Sequence, residues 1–490
     1  MQKTKFSIGR CILAAVAFIF FFISFACFFG AACYTGVYGQ TGFDSIIYTL
    51  TSPMAGTQSD LLFLFIFRAI LPAVLCAAAL TVLVFLPMKW KIRLRKWLIP
   101  GLSLVLCLIL LLQAGGSVGM IEYLIGQSQR TDLYETEYKD PNDVAITFPD
   151  QKRNLIYIYL ESMETSFLST QQGGAMSSCL IPELYTLANT YTNFSHNADV
   201  GGMVEVPGIT WTAGAMLAQT SGIPMLNPGE LSGMNQDGSF LTGLTNLGDI
   251  LDDAGYYQAL MVGSDATYGG RKALYTTHGA DVVYDIYTAR EDGIIPEDYF
   301  VWWGMEDLHL YEYAKQELAE ISQSDQPFAF TMLTVDTHHI GGYTCSLCGN
   351  DHEESYDNVY QCASRQLADF VQWIMAQDFY ENTTIIITGD HFSMDAAYFD
   401  RVAGDDYVRH GYNCFINAPV DAINTENRQF CALDMFPSTL AALGCHIEGD
   451  RLGLGVNLFS STPTLMEEFG YEAFCQELRK HTDFYKENFY

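Results

Sequence analysis

The sequence predicts an α/β protein in which three N-terminal transmembrane helices precede a doubly wound sheet domain. Three observations predict it. The first 121 residues contain three long apolar stretches almost free of charge. Three later runs (154–162, 328–339 and 383–391) are short and apolar and end in acids or histidines. Between the later runs, apolar residues recur at the three- and four-residue spacing of amphipathic helices.

The apolar stretches come first. Residues 11–43 and 97–121 carry no charge, and residues 61–87 carry only Arg68. Each exceeds the roughly 20 residues needed to cross a bilayer. The first also fits a signal peptide, and AAC at 31–33 is a weak processing signal. Arg68 reads as a side chain snorkelling to the interface. Lys3, Lys5 and Arg10 precede the first stretch, and KWKIRLRKW at 89–97 joins the second to the third. The loop 44–60 has no Lys or Arg. Excess positive charge marks the cytoplasmic side, so the expectation is a multi-pass cell-membrane protein whose residues from about 122 onward lie outside or in the periplasm.

Charge separates the two parts. Residues 1–115 hold nine Lys/Arg and two acids, a balance of +7 within a chain whose net charge is −31. The remainder therefore carries −38. So acidic a body is repelled by nucleic acid, which excludes that class of partner. With 49% hydrophobic residues, the chain is neither disordered nor a small disulfide scaffold.

The remaining elements follow in order. Residues 122–153 are polar and read as a juxtamembrane connector. NLIYIYLES (154–162), FAFTMLTVDTHH (328–339) and TTIIITGDH (383–391) have the continuous apolar character of strands buried on both faces. Residues 306–322 and 361–377 read as helices, and 466–490 as an amphipathic surface helix. In such folds ligands bind beyond the carboxyl ends of the strands. Glu161, Asp336, His338, His339, Asp390 and His391 all fall at that edge.

Glu161, Asp390 and His391 form a mixed oxygen and nitrogen set suited to Mn²⁺, Mg²⁺ or Zn²⁺. A hydroxyl near such a cation becomes a nucleophile. PGITWTAGAMLAQTSGIP (207–224) offers one at a turn followed by a helix. A threonine there also serves simply as an N-cap. Asp336 reads equally as a loop cap, Asp434 as a helix N-cap, Trp302-Trp303 as core, and Arg271-Lys272 as a solvated helix start.

Five segments occur in a fixed order: NLIYIYLESME (154–164), PGITWTAGAMLAQTSGIP (207–224), TVDTHH (334–339), TGDH (388–391) and DMFPSTLAALG (434–444). Together they resemble the lipoteichoic acid synthase and phosphoglycerol transferase group of the alkaline phosphatase/sulfatase-like superfamily. TVDTHH, the WT-x₃-M segment and WG-x-x-D at 303–307 are most similar to the membrane phosphoglycerol transferases that decorate periplasmic glucans. The resemblance implies an alkaline phosphatase/sulfatase-like sheet domain over 154–465, between an anchor (1–121) with its connector (122–153) and a helical tail (466–490).

It also implies roles. The metal set falls on Glu161, Thr212, Asp390 and His391, with one divalent cation, Mn²⁺ foremost and Mg²⁺ or Zn²⁺ as alternatives. Thr212 falls at the nucleophile. Thr210 competes, but the spacing to Met216 and Gly222-Ile223-Pro224 favours Thr212. His338 falls at the headgroup-binding histidine and is the second catalytic candidate, to orient the headgroup or protonate the leaving oxygen, with His339 adjacent and Ile340 where the family has a proline. Arg271 falls at the contact to phosphate or glycerol. Val262 and Gly269 replace the histidine and tryptophan that lipoteichoic acid synthases carry before that arginine. The implied reaction is transfer of glycerophosphate from phosphatidylglycerol to an extracellular glycan or glycolipid through a phospho-threonine type intermediate, releasing diacylglycerol. A phosphoethanolamine transferase, an extracellular phosphodiesterase or sulfatase-like hydrolase, and a non-catalytic binding scaffold stand as alternatives.

Eight cysteines fall in the exported part. A disulfide within Cys345, Cys348 and Cys362 is expected, against half a zinc site lacking its second half. The pairing stays open, with Cys414, Cys431 and Cys445 as further candidates.

Overall fold

The computed structural model describes residues 8–39, 42–51, 63–85, 95–226, 229, 238–404 and 406–490. They form two compact units, one from Met1–Phe43 and Thr57–Ile125, the other from Asp44–Gly56 and Gly126–Tyr490. Lys3, Lys5, Lys89, Lys91 and Arg93, on which the expected orientation leans, lie outside the described residues.

The first unit is helical. Cys11–Tyr38, Phe63–Phe85 and Leu98–Ser117 are long and apolar enough to cross a membrane. Ala69, Ala73 and Ala77 are fully buried, and Ala77 clusters with Phe21 and Cys107. Small side chains let helices approach closely where lipid supplies no hydrophobic drive.

The second unit is built on a six-stranded sheet. Its strands are β1 (Asn154–Leu160), β2 (Tyr257–Val262), β3 (Val282–Tyr284), β4 (Phe328–Leu333), β5 (Thr383–Gly389) and β6 (Asn413–Ile416). They lie in the order β3-β2-β4-β1-β5-β6. All neighbours are parallel except β6, which runs against β5. Every residue of β1, β4 and β5 is buried. Alternate residues of β1 enter two separate cores: Leu155, Tyr157 and Tyr159 one, Ile156, Ile158 and Leu160 the other. Helices Thr212–Ser221 and Met435–Ala442 cover the first face, and Asp307–Ile321 and Ser355–Met375 the second. Each such aliphatic or aromatic side chain contributes about 1.5–3 kcal/mol on burial.

The register positions the chemistry. Tyr159 pairs with Leu333 and Leu160 with Gly389. Glu161 and Asp390 therefore leave adjacent strands at one level of the carboxyl edge, with Thr334 one residue short of it on the third strand. Two loops beyond that edge are pinned by a buried ion pair between Glu164 and Arg409. Glu164 also accepts from the Ser393 amide at 2.8 Å, and the Arg409 guanidinium lies 3.8 Å above the Phe399 ring.

Several local expectations need correction. The second predicted helix begins earlier, at Ser355, because SYDNVY already places Tyr356, Val359 and Tyr360 on the buried face. β2, β3 and β6 were not expected from the sequence. Residues 466–490 form three short helices rather than one surface helix. Gly470, at φ 80°, breaks the path, and Phe474, Leu478, Tyr485 and Phe489 are buried. Within the 122–153 segment, Ile146–Thr147 pairs with His446–Ile447. The Asp434 carboxylate accepts from the amides of Cys431 and Val456 rather than capping the helix that follows. All thirteen cysteines are unpaired. The disulfide expected within Cys345, Cys348 and Cys362 is absent: the Cys345 sulfur stands 3.7 Å from each of the other two.

A close approach at the end of β5 gives a test. A Cβ on Gly389 would meet the Met163 carbonyl oxygen at 2.0 Å. Gly389→Ala is expected to destabilise the second unit by about 1–3 kcal/mol, the usual range for overpacking. The measurement is the midpoint of thermal unfolding in detergent, followed by tryptophan fluorescence; an unchanged midpoint would count against this packing.

Candidate active site

Glu161, Asp390 and His391 are 2%, 2% and 3% exposed, and one ligand atom from each lies within 4.8 Å of the others. His391 Nε2 is 3.5 Å from Glu161 Oε1, 3.4 Å from Asp390 Oδ2 and 3.3 Å from Thr212 Oγ1. The structure thus gathers the four predicted metal-set residues around one point. In tetrahedral coordination by nitrogen and oxygen, bonds near 2.1 Å give donor separations of about 3.4 Å. The spacings fit a single divalent cation.

Further details agree with such a cation. Asp390 Oδ2 is buried without a hydrogen-bond partner among the described residues. The other oxygen, Oδ1, accepts from the amides of Ser162 and His391, both at 2.8 Å. His391 Nδ1 donates to the Phe392 carbonyl at 2.7 Å, which leaves Nε2 as the lone-pair donor. Burial and the neighbouring charge of Glu161 push the Asp390 pKa up to about 6. Burial acts to lower the His391 pKa, but Asp390, Glu161 and Glu205 outweigh it and raise it to about 9. Without a cation, the imidazolium is the group that offsets the carboxylates.

Local backbone aims these groups. Ser162 sits at φ 55°, an uncommon conformation for a side chain other than glycine. It is held by its amide bond to Asp390, by its hydroxyl donating to Glu161 Oε1 at 2.7 Å, and by Tyr360 OH donating to its carbonyl at 3.1 Å. The Glu161 amide donates to Thr334 Oγ1 at 3.0 Å, and Thr337 Oγ1 donates to the Glu161 carbonyl at 2.5 Å.

Thr212 is half-buried and opens the helix Thr212–Ser221. That helix is tied to the sheet through Gln219. Its Nε2 donates to the Gly389 carbonyl at 3.2 Å, and its Oε1 accepts from Tyr157 OH at 2.7 Å. The distance from Asp390 to Thr212 is thereby set by hydrogen bonds to the residue just before Asp390. Thr210, the competing threonine, lies two residues before the start of that helix.

Arg271 is buried, unlike a solvated helix start. Its guanidinium donates to the carbonyls of Tyr268 and Asp265 at 3.0 and 2.8 Å and to Ser264 Oγ at 2.9 Å. Burial pulls its pKa below the ordinary value, opposed by Tyr268 and then Glu161. His338 is half-buried, and its Nδ1 donates to the His339 carbonyl at 2.7 Å. Its ring lies 4.6 Å from that of Trp303, which in turn lies 5.6 Å from Tyr268. Burial lowers the His338 pKa to about 4. Trp303 therefore packs between the elements carrying Arg271 and His338. Asp336 accepts from the Asp307 amide at 3.1 Å and acts as a loop cap at the start of the helix Asp307–Ile321.

Sequence reasoning missed Glu205, Glu164 and Arg409. Glu205 Oε1 accepts from the Phe392 amide at 2.5 Å, and burial raises its pKa to about 7. Glu205 and Arg409 follow no readable strand, and Glu164, although it closes the NLIYIYLESME segment, has no local sign of its partner, so only proximity in the fold reveals their roles.

A family model described as Sulfatase matches residues 153–444. Phosphoglycerol transferase I of Escherichia fergusonii is 29% identical over 368 residues, covering 72% of this chain and 45% of that protein. The protein of the same name from Salmonella choleraesuis is 29% identical over 369 residues, with the same coverage. The chain thus spans less than half the length of these curated relatives. Among solved structures, the lipoteichoic acid synthase LtaP from Listeria monocytogenes superposes with a TM-score of 0.51 at 18% identity, covering 64% of this chain and 79% of that one. The integral membrane lipooligosaccharide phosphoethanolamine transferase A from Neisseria meningitidis gives 0.50 at 14%, covering 89% and 84%. At those identities the structural likeness speaks to fold alone. The family match covers more than half of the residues and includes the whole Glu161, Thr212, Asp390 and His391 set, and the chain belongs to the sulfatase family.

Proposed function

We propose that this chain is a membrane-anchored phosphoglycerol transferase. It would move glycerophosphate from phosphatidylglycerol to an extracellular glycan or glycolipid, with the sheet domain outside the membrane. The observation that carries the reading is the Thr212 hydroxyl, which opens a helix and lies 3.3 Å from the imidazole of a buried Glu161, Asp390 and His391 set. A sulfatase in the strict sense converts a Cys or Ser at this position, and Thr212 does not suit that conversion.

Glu161, Asp390, His391 and Thr212 would hold one divalent cation, Mn²⁺ foremost. When bound, it supplies a lowered pKa for the hydroxyl and positive charge for the phosphoryl oxygens. Thr212 Oγ attacks the phosphorus of the donor lipid. The Thr212 hydroxyl gives up its proton to solvent, the bond from phosphorus to the diacylglycerol oxygen breaks, that oxygen takes a proton from solvent, and glycerophosphoryl-Thr212 remains. The amides at the start of the Thr212–Ser221 helix face the anionic group. Arg271 adds a buried, fixed guanidinium for the same charge. His338, neutral at neutral pH with Nδ1 committed to a carbonyl, orients a headgroup hydroxyl through Nε2 rather than protonating the leaving oxygen. An acceptor hydroxyl then attacks the phosphorus and regenerates Thr212. Anchoring raises the effective concentration of a lipid donor.

Thr212→Ala is expected to abolish diacylglycerol release from labelled phosphatidylglycerol, by at least about 10³-fold, as loss of a nucleophile does. Release at near wild-type rate would refute the nucleophile assignment. Chelation by EDTA should stop release and Mn²⁺ should restore it, whereas Asp390→Ala should not recover with added Mn²⁺. The donor is tested by offering phosphatidylglycerol and phosphatidylethanolamine in parallel vesicles. Turnover of phosphatidylethanolamine alone would move the assignment to phosphoethanolamine transfer.

A further inference from the structure

A second group of metal-ligating side chains lies outside the catalytic centre. Cys345 and Cys348 belong to the loop after β4, and Cys362 to the helix Ser355–Met375. One sulfur from each lies within 4.8 Å of the others, and Cys345 Sγ is 3.7 Å from both Cys348 Sγ and Cys362 Sγ. Cys345 and Cys362 are buried and Cys348 is half-buried.

These spacings discriminate between two chemistries. A disulfide joins two sulfurs at about 2.05 Å and leaves the third aside. Here Cys345 stands equally far from both neighbours, so no pair is singled out. A tetrahedral zinc ion with bonds near 2.3 Å separates its thiolates by about 3.8 Å. The observed spacing is that of a tetrahedron edge. Soft thiolate ligands select zinc over the harder cations that suit a carboxylate-rich centre.

The surroundings favour thiolates. The Leu347 amide donates to Cys345 Sγ at 3.4 Å, and Gln366 Nε2 donates to Cys362 Sγ at 3.4 Å and Cys345 Sγ at 3.8 Å. The Cys348 amide closes the Cys345-x-x-Cys348 turn on the Cys345 carbonyl at 3.2 Å. N–H groups directed at sulfur stabilise the anion and leave its remaining lone pairs for a metal.

We propose that Cys345, Cys348 and Cys362 hold a structural zinc ion, separate from the catalytic cation. Its place in the chain gives it a purpose. Cys345 follows His338 by seven residues, in the loop that also carries Thr337, whose hydroxyl donates to the Glu161 carbonyl. The ion would clamp this loop to the helix Ser355–Met375. That helix in turn reaches the site through Tyr356 OH, which donates to the Thr337 carbonyl at 2.6 Å. Metal binding of this kind couples to the stability of the segment it closes.

The test uses the full chain in detergent, with Glu161→Ala to remove the catalytic cation from the count. Elemental analysis after EDTA dialysis is expected to find one zinc per chain, and none when Cys345→Ser and Cys348→Ser are added. Because the double variant can fail to fold, a second measurement uses the Cys-intact protein. Cobalt exchanged into it should show thiolate-to-cobalt charge-transfer absorption. Alkylation under denaturing, non-reducing conditions with chelator should label all three cysteines. A peptide map with two of them joined, or absence of both zinc and the cobalt band, would overturn the proposal.

Discussion

Two carboxylates, Glu161 and Asp390, are buried side by side at the edge of a sheet, and the rest of the second unit is arranged around that electrostatic conflict. Like charges taken out of water repel strongly, and each also loses its hydration. The protein offsets this in three ways. His391 is placed against both, with a pKa raised to about 9. Amides of Ser162 and His391 converge on Asp390 Oδ1. One Asp390 oxygen is buried without a hydrogen-bond partner among the described residues, a position that a cation would complete.

The sheet makes the arrangement rigid. The paired carboxylates come from β1 and β5, which are neighbours in register. A slip of one residue would turn each side chain to the other face. The two cores on either side of β1 oppose such a slip, because every residue of that strand is buried in one or the other. Beyond the edge, the Glu164–Arg409 pair and the Gln219 link carry the rigidity out to the loop after His391 and to the helix that begins with Thr212. A buried ion pair of this type adds little net stability over an apolar pair. It fixes one loop geometry.

The thiolate group extends the same organisation on the other side of the site. The loop after β4 contributes Thr337 and His338 and then has a long path before the next helix. The three sulfurs draw that path onto the helix Ser355–Met375. The two groups differ in donor chemistry, oxygen and imidazole in one and sulfur in the other, so they would select different ions.

Sequence alone determined the elements whose signal is local. β1, β4 and β5 are continuous apolar runs, the helices have regular spacing, and Glu161, Asp390 and His391 stand directly after strand ends. The three helices long and apolar enough to cross a membrane were legible from length and lack of charge. Other features had no local signal. β2 begins YQ and β3 has only three residues, so neither resembles a buried strand until neighbours supply the hydrogen bonds. Asp434 sits where an N-cap belongs, yet its carboxylate serves Val456, twenty-two residues away. The tail was read as one surface helix because its pattern is amphipathic, but Tyr485 and Phe489 meet Tyr134 and Tyr138 across the chain. Only the tertiary structure decided that Arg271 is buried, that Glu205 and Arg409 border the site, and that three cysteines gather at 3.7 Å rather than pair. The physical reason is common to all: residue type and periodicity report what a segment prefers, whereas burial and ligand geometry depend on which distant segment arrives beside it.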